Sequence, residues 1–477
     1  MSARTTTSLS IHPDRLFPAD PRVRDITRTI YQTVSDLPII SPHSHVPPEW
    51  LADNKPFSDP ASLLLVPDHY VLRLLHANGA SMSDLGRGPD GPLDLTEEQA
   101  RKAWRILFEN YYLFRGTVVK YWFDTTFADV FGITEAPSAA NADAAYDKIA
   151  EALETPEFLP RALFERFNIS VLATTDDPVD DLHYHKQLAA DPTFKGRVIP
   201  TFRPDRYYEL ARNDWPSLAK DLGEASNIDT GNYAGFLQAL ENRRQYFKEN
   251  GAVSTDHSHF DAGSEPLSDT EAQRIYAAAL RGEATKEEAD AFRRNMMLET
   301  ARMACDDGLV MTLHPAVRRD HDPHNLAKYG LDVGSDIPVK VEFTEALRPL
   351  LGRYGNHPNL NLVVFTLDET VYSRELAPLA GFYRSLYVGA PWWFIDSPEA
   401  IRRFRSAITD TAGFYRTSGF IDDTRAFLSI PTRHDMSRRL DAGYLAHLVA
   451  EERLTVDEAI ETAHDLVVTQ PRKVFKL

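Results

Sequence analysis

The sequence predicts an α/β protein built as a closed (β/α)8 TIM-like barrel with long helical insertions, and three observations lead there. Short apolar and β-branched runs recur, each ending abruptly in polar or charged residues: LPIISPHSH (37–45), SVLATTDD (170–177), VIPTFRPD (198–205), LVMTLHP (309–315), NLVVFTLDE (361–369), SLYVGAPWWF (385–394) and SGFIDDTR (418–425). Stretches of helical character separate them, the pattern of βα units feeding a parallel sheet. No repeat of fixed period, low-complexity tract or Gly/Ser linker interrupts the chain, so residues 1–477 read as a single barrel domain. Polar residues at the C-terminal ends of barrel strands line the active site, so these endings are where chemistry is sought.

Between the strand-like runs, residues 50–165 and 205–300 are too long for simple crossovers and read as largely helical insertions. S/T-x-x-E patterns mark helix starts at Ser268 with Glu271, Thr285 with Glu288, and Thr455 with Glu458. There the hydroxyl and the carboxylate each take one backbone N–H of the first helical turn. These residues are assigned to structure, not chemistry.

Composition narrows the function classes. With 43% hydrophobic and 26% charged residues, the chain has ordinary globular character and ample length for a large core. A single cysteine, Cys305, leaves no intramolecular disulfide and no Cys-based zinc site, which favours a reducing, cytoplasmic setting. No run suits a secretory signal or a membrane span. The net charge of −18 argues against nucleic acid or an anionic membrane as partner, because phosphate arrays need clustered Lys and Arg. A small anionic substrate would instead need local arginines.

The sharpest motif is His43-Ser44-His45 at the end of the first run. In a strand, residues i and i+2 share a face, so both imidazoles reach one point, as a divalent metal requires. Asp423, ending the last run, adds a carboxylate oxygen. Two nitrogens and one oxygen with open positions are a catalytic donor set, and the ligand types point to zinc, one ion per subunit. The plain structural alternatives are a surface His pair and a helix-capping Asp.

These endings resemble the signature segments of the uronate isomerase family of the amidohydrolase superfamily, over nearly the whole chain. Against H-C-H-L stands His43-Ser44-His45-Val46, and against G-D-H-Y-x-x-R stands Pro67-Asp68-His69-Tyr70-Val71-Leu72-Arg73. Thr174-Thr175-Asp176-Asp177-Pro178 is similar to T-T-D-D-P, and Phe202-Arg203-Pro204-Asp205 to W-R-P-D. Ser254-Thr255-Asp256-His257 resembles the S-D-H segment, and Gly389-Ala390-Pro391-Trp392-Trp393-Phe394 resembles G-S-G-W-W-F. Asp422-Asp423-Thr424-Arg425-Ala426-Phe427-Leu428-Ser429 resembles T-D-S-R-S-F-L-S, followed by Thr432-Arg433-His434. Where the family shows H-I-G-A-L-R-N-N-N, this chain keeps His314 and Arg319 but loses the asparagine run.

The resemblance implies interconversion of D-glucuronate with D-fructuronate, and of D-galacturonate with D-tagaturonate, by C2-to-C1 proton transfer through an enediol during hexuronate catabolism. Within it, Asp423 is expected to be the base, Tyr70 to shuttle protons between the C1 and C2 oxygens, and Arg425 to bind a sugar oxygen or orient Asp423. Arg203 is expected to hold the substrate carboxylate bidentately. Trp393 would face the sugar while Trp392 points into the core, and His314, Asp256, His257 and Arg319 would contact hydroxyls. The alternative is a mononuclear hydrolase or decarboxylase of the same superfamily acting on a small carboxylate; a non-catalytic sugar-acid binder is the weaker rival. The sequence leaves the oligomeric state, a homo-oligomer included, open.

Overall fold

The computed structural model describes residues 8–9 and 11–477. Its centre is a barrel whose staves are β1 (Ile39–Ser41), β2 (Ile169–Ala173), β3 (Arg197–Ile199), β4 (Ser254–His257), β5 (Val310–Leu313), β6 (Leu362–Val364) and β7 (Leu386–Val388), completed by the extended segment 417–424. Hydrogen-bonded order runs β1-β2-β3 in one parallel sheet and β7-β6-β5-β4 in another. The seams lie beyond the regular strands. Past β3, Phe202 gives its N–H to Ser254 at 3.2 Å and accepts from the Asp256 N–H at 3.0 Å. Ser418 donates to the Val388 carbonyl at 2.9 Å, and His45 donates to the Thr424 carbonyl at 3.0 Å, which closes the ring. The last closure therefore joins the two segments that carry His43, His45 and Asp423.

The strands read as continuous apolar runs because both faces are covered: β5, β6 and β7 are buried at every position. β4 is the exception in composition. Ser-Thr-Asp-His is also buried throughout, but with polar side chains. It lies inside the 205–300 stretch that the sequence suggests is largely helical insertion. That stretch holds the helices Trp215–Ser226, Tyr233–Glu249, Asp269–Leu280 and most of Lys286–Asp307, and a barrel strand as well.

Between β1 and β2 the regular structure is mostly helical, from Pro48–Asp53 to Pro160–Arg166, with a short hairpin of Arg87–Gly88 and Gly91–Pro92 among the helices. This block has its own aromatic core, with Trp104, Phe108, Phe114 and Phe127 at most 2% exposed. The indole of Trp104 donates to the Ala142 carbonyl at 3.0 Å, so even its one polar atom is satisfied. The helix His69–Ala77 starts at the barrel mouth, capped by Asp68, whose carboxylate accepts from the Tyr70 N–H at 2.9 Å. That cap fixes where Tyr70 enters the site.

Reciprocal capping boxes form at Thr285 with Glu288, Thr455 with Glu458, and also Thr96 with Gln99. At Ser268 only half the box forms. The serine caps the Glu271 N–H, but the Glu271 carboxylate turns to Arg274 at 2.7 Å and 3.0 Å. Among the described residues, no helix is long and apolar enough to cross a membrane.

Candidate active site

The segments that close the barrel bring His43, His45 and Asp423 together. His45 Nε2 lies 2.9 Å and His43 Nε2 3.3 Å from the same oxygen, Asp423 Oδ1. Neither histidine is in a regular strand, since β1 ends at Ser41, yet both imidazoles reach one point. Thr175 and Thr424 hold the connection: the Thr175 hydroxyl donates to the Ser44 carbonyl at 2.9 Å, and the Ser44 hydroxyl to the Thr424 carbonyl at 2.9 Å. Asp423 itself sits in the left-handed region at φ 43°, a conformation that an Asp tolerates better than most side chains.

The donor set fits a divalent ion. Two imidazole nitrogens and a carboxylate oxygen face one point, while Asp423 Oδ1 and His43 Nδ1 are buried without a hydrogen bond of good geometry. Burial alone would raise the Asp423 carboxyl pKa; the adjacent His43 and His45 outweigh it and hold it well below the usual carboxylate range.

A second layer supports the first. The His43 ring stacks on His314 with centroids 4.8 Å apart, and His314 Nδ1 lies 2.8 Å from Asp256 Oδ1. Asp256 Oδ2 lies 3.4 Å from Arg203 Nε, and the Thr312 hydroxyl donates to Oδ1 at 3.3 Å. His43, Asp256 and His314 are each at most 2% exposed, so they lie beneath the site and do not line its opening.

Above them opens a cavity of about 480 Å³, lined among others by His45, Tyr70, Arg203, Arg319, Trp393, Asp423 and Arg425. Its size suits a ligand of a few hundred cubic ångströms. The wall is rich in guanidinium groups that are partly tied down. Arg203 Nε is shared between Asp205 and Asp256 at 3.4 Å each. Arg319 pairs with Asp336 at 3.2 Å and covers the Trp393 ring at 4.8 Å. Arg425 pairs with Asp332 and approaches His69 Nε2 at 3.3 Å. Tyr70 packs edge-on against Trp122 at 5.2 Å, and burial pushes its phenol well above the usual tyrosine value, so it stays protonated. Behind it the buried Arg433 bonds Asp396 at 2.7 Å and lies 3.6 Å over the Trp122 ring.

Asp256, His257 and His314, expected at the substrate's hydroxyls, lie outside the cavity lining. Trp392 packs in the core as expected, 5% exposed, and also borders the cavity beside Trp393, where residue 393 starts a 3-10 turn at φ 50°. Trp392 contacts His314 edge-on at 4.7 Å. Arg425 does not share a strand face with Asp423; no strand continues there, and the guanidinium turns across the mouth to Asp332. His257 points away from Asp256, as alternation along β4 dictates. It lies under Tyr208 at 6.1 Å and 3.7 Å from Asp205, outside the cavity lining.

Sequence reasoning passed over Asp205, His259, Asp332 and Asp396. Asp205 and His259 sit within or beside quoted motifs, Phe202-Arg203-Pro204-Asp205 and Ser254-Thr255-Asp256-His257, and His257-Ser258-His259 repeats the His-x-His spacing of residues 43–45. That repetition was the available signal. Asp332 and Asp396 lie in loops with no motif of their own.

The chain is similar in sequence and fold to known proteins. The curated uronate isomerase of Cutibacterium acnes is 54% identical over 473 residues, covering 99% of this chain and 100% of the relative. The crystal structure of glucuronate isomerase from Caulobacter crescentus superposes with a TM-score of 0.96 at 47% identity, covering 98% of each chain. That of uronate isomerase from Thermotoga maritima gives 0.90 at 26% identity, covering 98% of this chain and 99% of the other. The sequence profile of the glucuronate isomerase family matches residues 22–475. With a match of that length, the chain belongs to the glucuronate isomerase family.

Proposed function

We infer that the chain is an aldose–ketose isomerase acting on hexuronates, converting D-glucuronate to D-fructuronate and D-galacturonate to D-tagaturonate. The observation that carries this reading is the near-full-length match to uronate isomerases, and the arginine-walled cavity over His43, His45 and Asp423 supports it.

His43, His45 and Asp423 would hold one zinc ion, which when bound would supply Lewis-acid polarisation of the substrate's oxygens. Both imidazole contacts fall on Asp423 Oδ1, leaving Oδ2 for the substrate. In the forward direction the Asp423 carboxylate accepts the C2 proton, and the C–H electron pair becomes the C1–C2 double bond as O1 takes up a proton. The Asp423 carboxyl, whose proton exchanges with solvent, then delivers a proton to C1 while the O2 hydroxyl loses its own and C2 becomes the carbonyl. One C–H has moved from C2 to C1 and one O–H from O2 to O1, so nothing is gained or lost.

Tyr70, kept protonated by burial, serves the oxygen-to-oxygen transfer, because a phenol donates one proton and accepts another. Arg203 meets the substrate carboxylate, and Arg319 with Trp393 and Arg425 frames the rest of the sugar. Asp256 and His314 act from beneath, holding Arg203 and His43 in place. His257 belongs with that support and not with the hydroxyl contacts. The whole chain works as one barrel, with 50–165 and much of 205–300 as insertions around it. A cytoplasmic location fits the lone, buried Cys305.

The test is to incubate zinc-replete protein with glucuronate or galacturonate and follow the carbonyl region by NMR. Ketose should appear without incorporation of solvent oxygen into a cleaved product; cleavage with oxygen incorporation would establish a hydrolase instead.

A further inference from the structure

A second cluster of the same chemistry lies across Arg203 from the first. Asp205 Oδ1 is 3.3 Å from His259 Nε2 and 3.7 Å from His257 Nδ1, and all three atoms lie within 4.8 Å of one another. Ligands about 2.0–2.1 Å from a tetrahedral ion are about 3.3 Å apart, so these separations fit a shared ion with only small adjustment.

The bonding around the cluster leaves the facing atoms bare. Asp205 Oδ2 is occupied, accepting the Ser258 N–H at 2.8 Å and lying 3.4 Å from Arg203 Nε. Oδ1 is buried and accepts no hydrogen bond. His257 Nε2 is 3.0 Å from the Thr255 hydroxyl, whereas its Nδ1, aimed at Asp205, has no partner. Both nitrogens of His259, a residue only 5% exposed, are also without hydrogen bonds. Burial drives both imidazoles down to about 3, so each presents a neutral lone pair. The Tyr208 ring lies 6.1 Å from the His257 ring and nearly parallel to it, and 6.0 Å from the His259 ring at a tilt of 29°. A hydroxyl partner on the far nitrogen of a metal-binding imidazole is the usual way its tautomer and direction are set.

We propose that Asp205, His257 and His259 form a second binding site for a divalent transition-metal ion of the zinc or manganese class, separate from the site at His43, His45 and Asp423. The ion neutralises a carboxylate oxygen that no donor reaches and ties the ends of β3 and β4 together. Asp205 also lines the substrate cavity.

The chain is stripped with chelator, saturated separately with Zn2+ or Mn2+, desalted, and its metal counted by inductively coupled plasma mass spectrometry. Wild type should retain two ions per chain, Asp423→Ala one, and His259→Ala one. Titration with Co2+ should give two successive sets of d–d bands, the second missing in His259→Ala. Should His259→Ala fail to fold, His257→Gln replaces it, and the count in Asp423→Ala decides independently: one ion retained supports the site, none overturns it. Saturation of wild type at a single ion, or unchanged counts and spectra in a folded His259→Ala protein, would also overturn it.

Discussion

Substituting Asp176 tests whether the buried cluster of Thr174, Asp176 and His185 carries a protonated carboxyl. Asp176 is 8% exposed, and its Oδ2 accepts the Thr174 hydroxyl at 2.6 Å and the Thr201 N–H at 3.2 Å. The same hydroxyl lies 2.7 Å from His185 Nε2. Burial raises Asp176 from 3.8 to about 7, against the pull of those two hydrogen bonds, and lowers His185 to about 4. A raised folded-state value means that the folded chain binds the proton more tightly than the unfolded one. The stability it contributes is complete below 3.8 and is lost as pH rises through about 7. Between pH 5 and pH 8 the loss is about 3 kcal/mol, from 1.36 kcal/mol per unit and a group still partly protonated in the unfolded chain near pH 4. At about 2.1 cal/mol/K per residue, a 477-residue chain unfolds with an entropy near 1 kcal/mol/K, so the effect is about 3 °C in Tm. Asp176→Asn removes the titration but leaves His185, whose own contribution has the opposite slope and cancels in the comparison. Melts of wild type and variant by calorimetry at pH 5 and pH 8 should show the variant gaining about 3 °C relative to wild type at the higher pH. A constant difference at both pH values would refute the protonated carboxyl. A difference growing in the other direction would refute it as well.

Arg433→Met leaves the Asp396 carboxylate, 1% exposed, without its counter-charge and should cost about 3–5 kcal/mol; adding Asp396→Asn should restore most of it, as melts of both proteins would reveal. Tyr70→Phe should lower kcat by about 100-fold with KM within a few-fold, because it deletes a proton donor and leaves the packing on Trp122 intact; steady-state kinetics showing a KM effect alone would make Tyr70 a packing residue. Chelation should abolish turnover and bound zinc together, and readdition of zinc should restore both in wild type, whereas His45→Ala should regain no turnover and bind one ion fewer per chain, followed by metal analysis beside the activity assay.

Much of this was legible in the sequence because barrel strands buried on both faces must be apolar and must end at the site. Runs such as LPIISPHSH, which ends in His43 and His45, therefore announce both the strand and its functional end. β4 escaped that logic. Its four residues, Ser254–His257, are polar because Asp256 faces the inner network and His257 the Asp205 cluster, so no apolar run marks it. The His43–His45–Asp423 convergence was readable from spacing and position. The Arg425–Asp332 and Arg433–Asp396 pairs were not, since their members are 93 and 37 residues apart and only the tertiary fold brings them together.

The claim on which the mechanism stands is that Asp423 carries the proton between C2 and C1. It is tested most directly by running zinc-replete wild type and Asp423→Asn in D2O with glucuronate and following deuterium in recovered aldose and ketose by NMR. Wild type should place deuterium at C2 of the aldose and C1 of the ketose, and Asp423→Asn should bind the uronate while exchange falls by about 100-fold or more. Undiminished exchange in a folded, zinc-loaded Asp423→Asn protein would contradict the account.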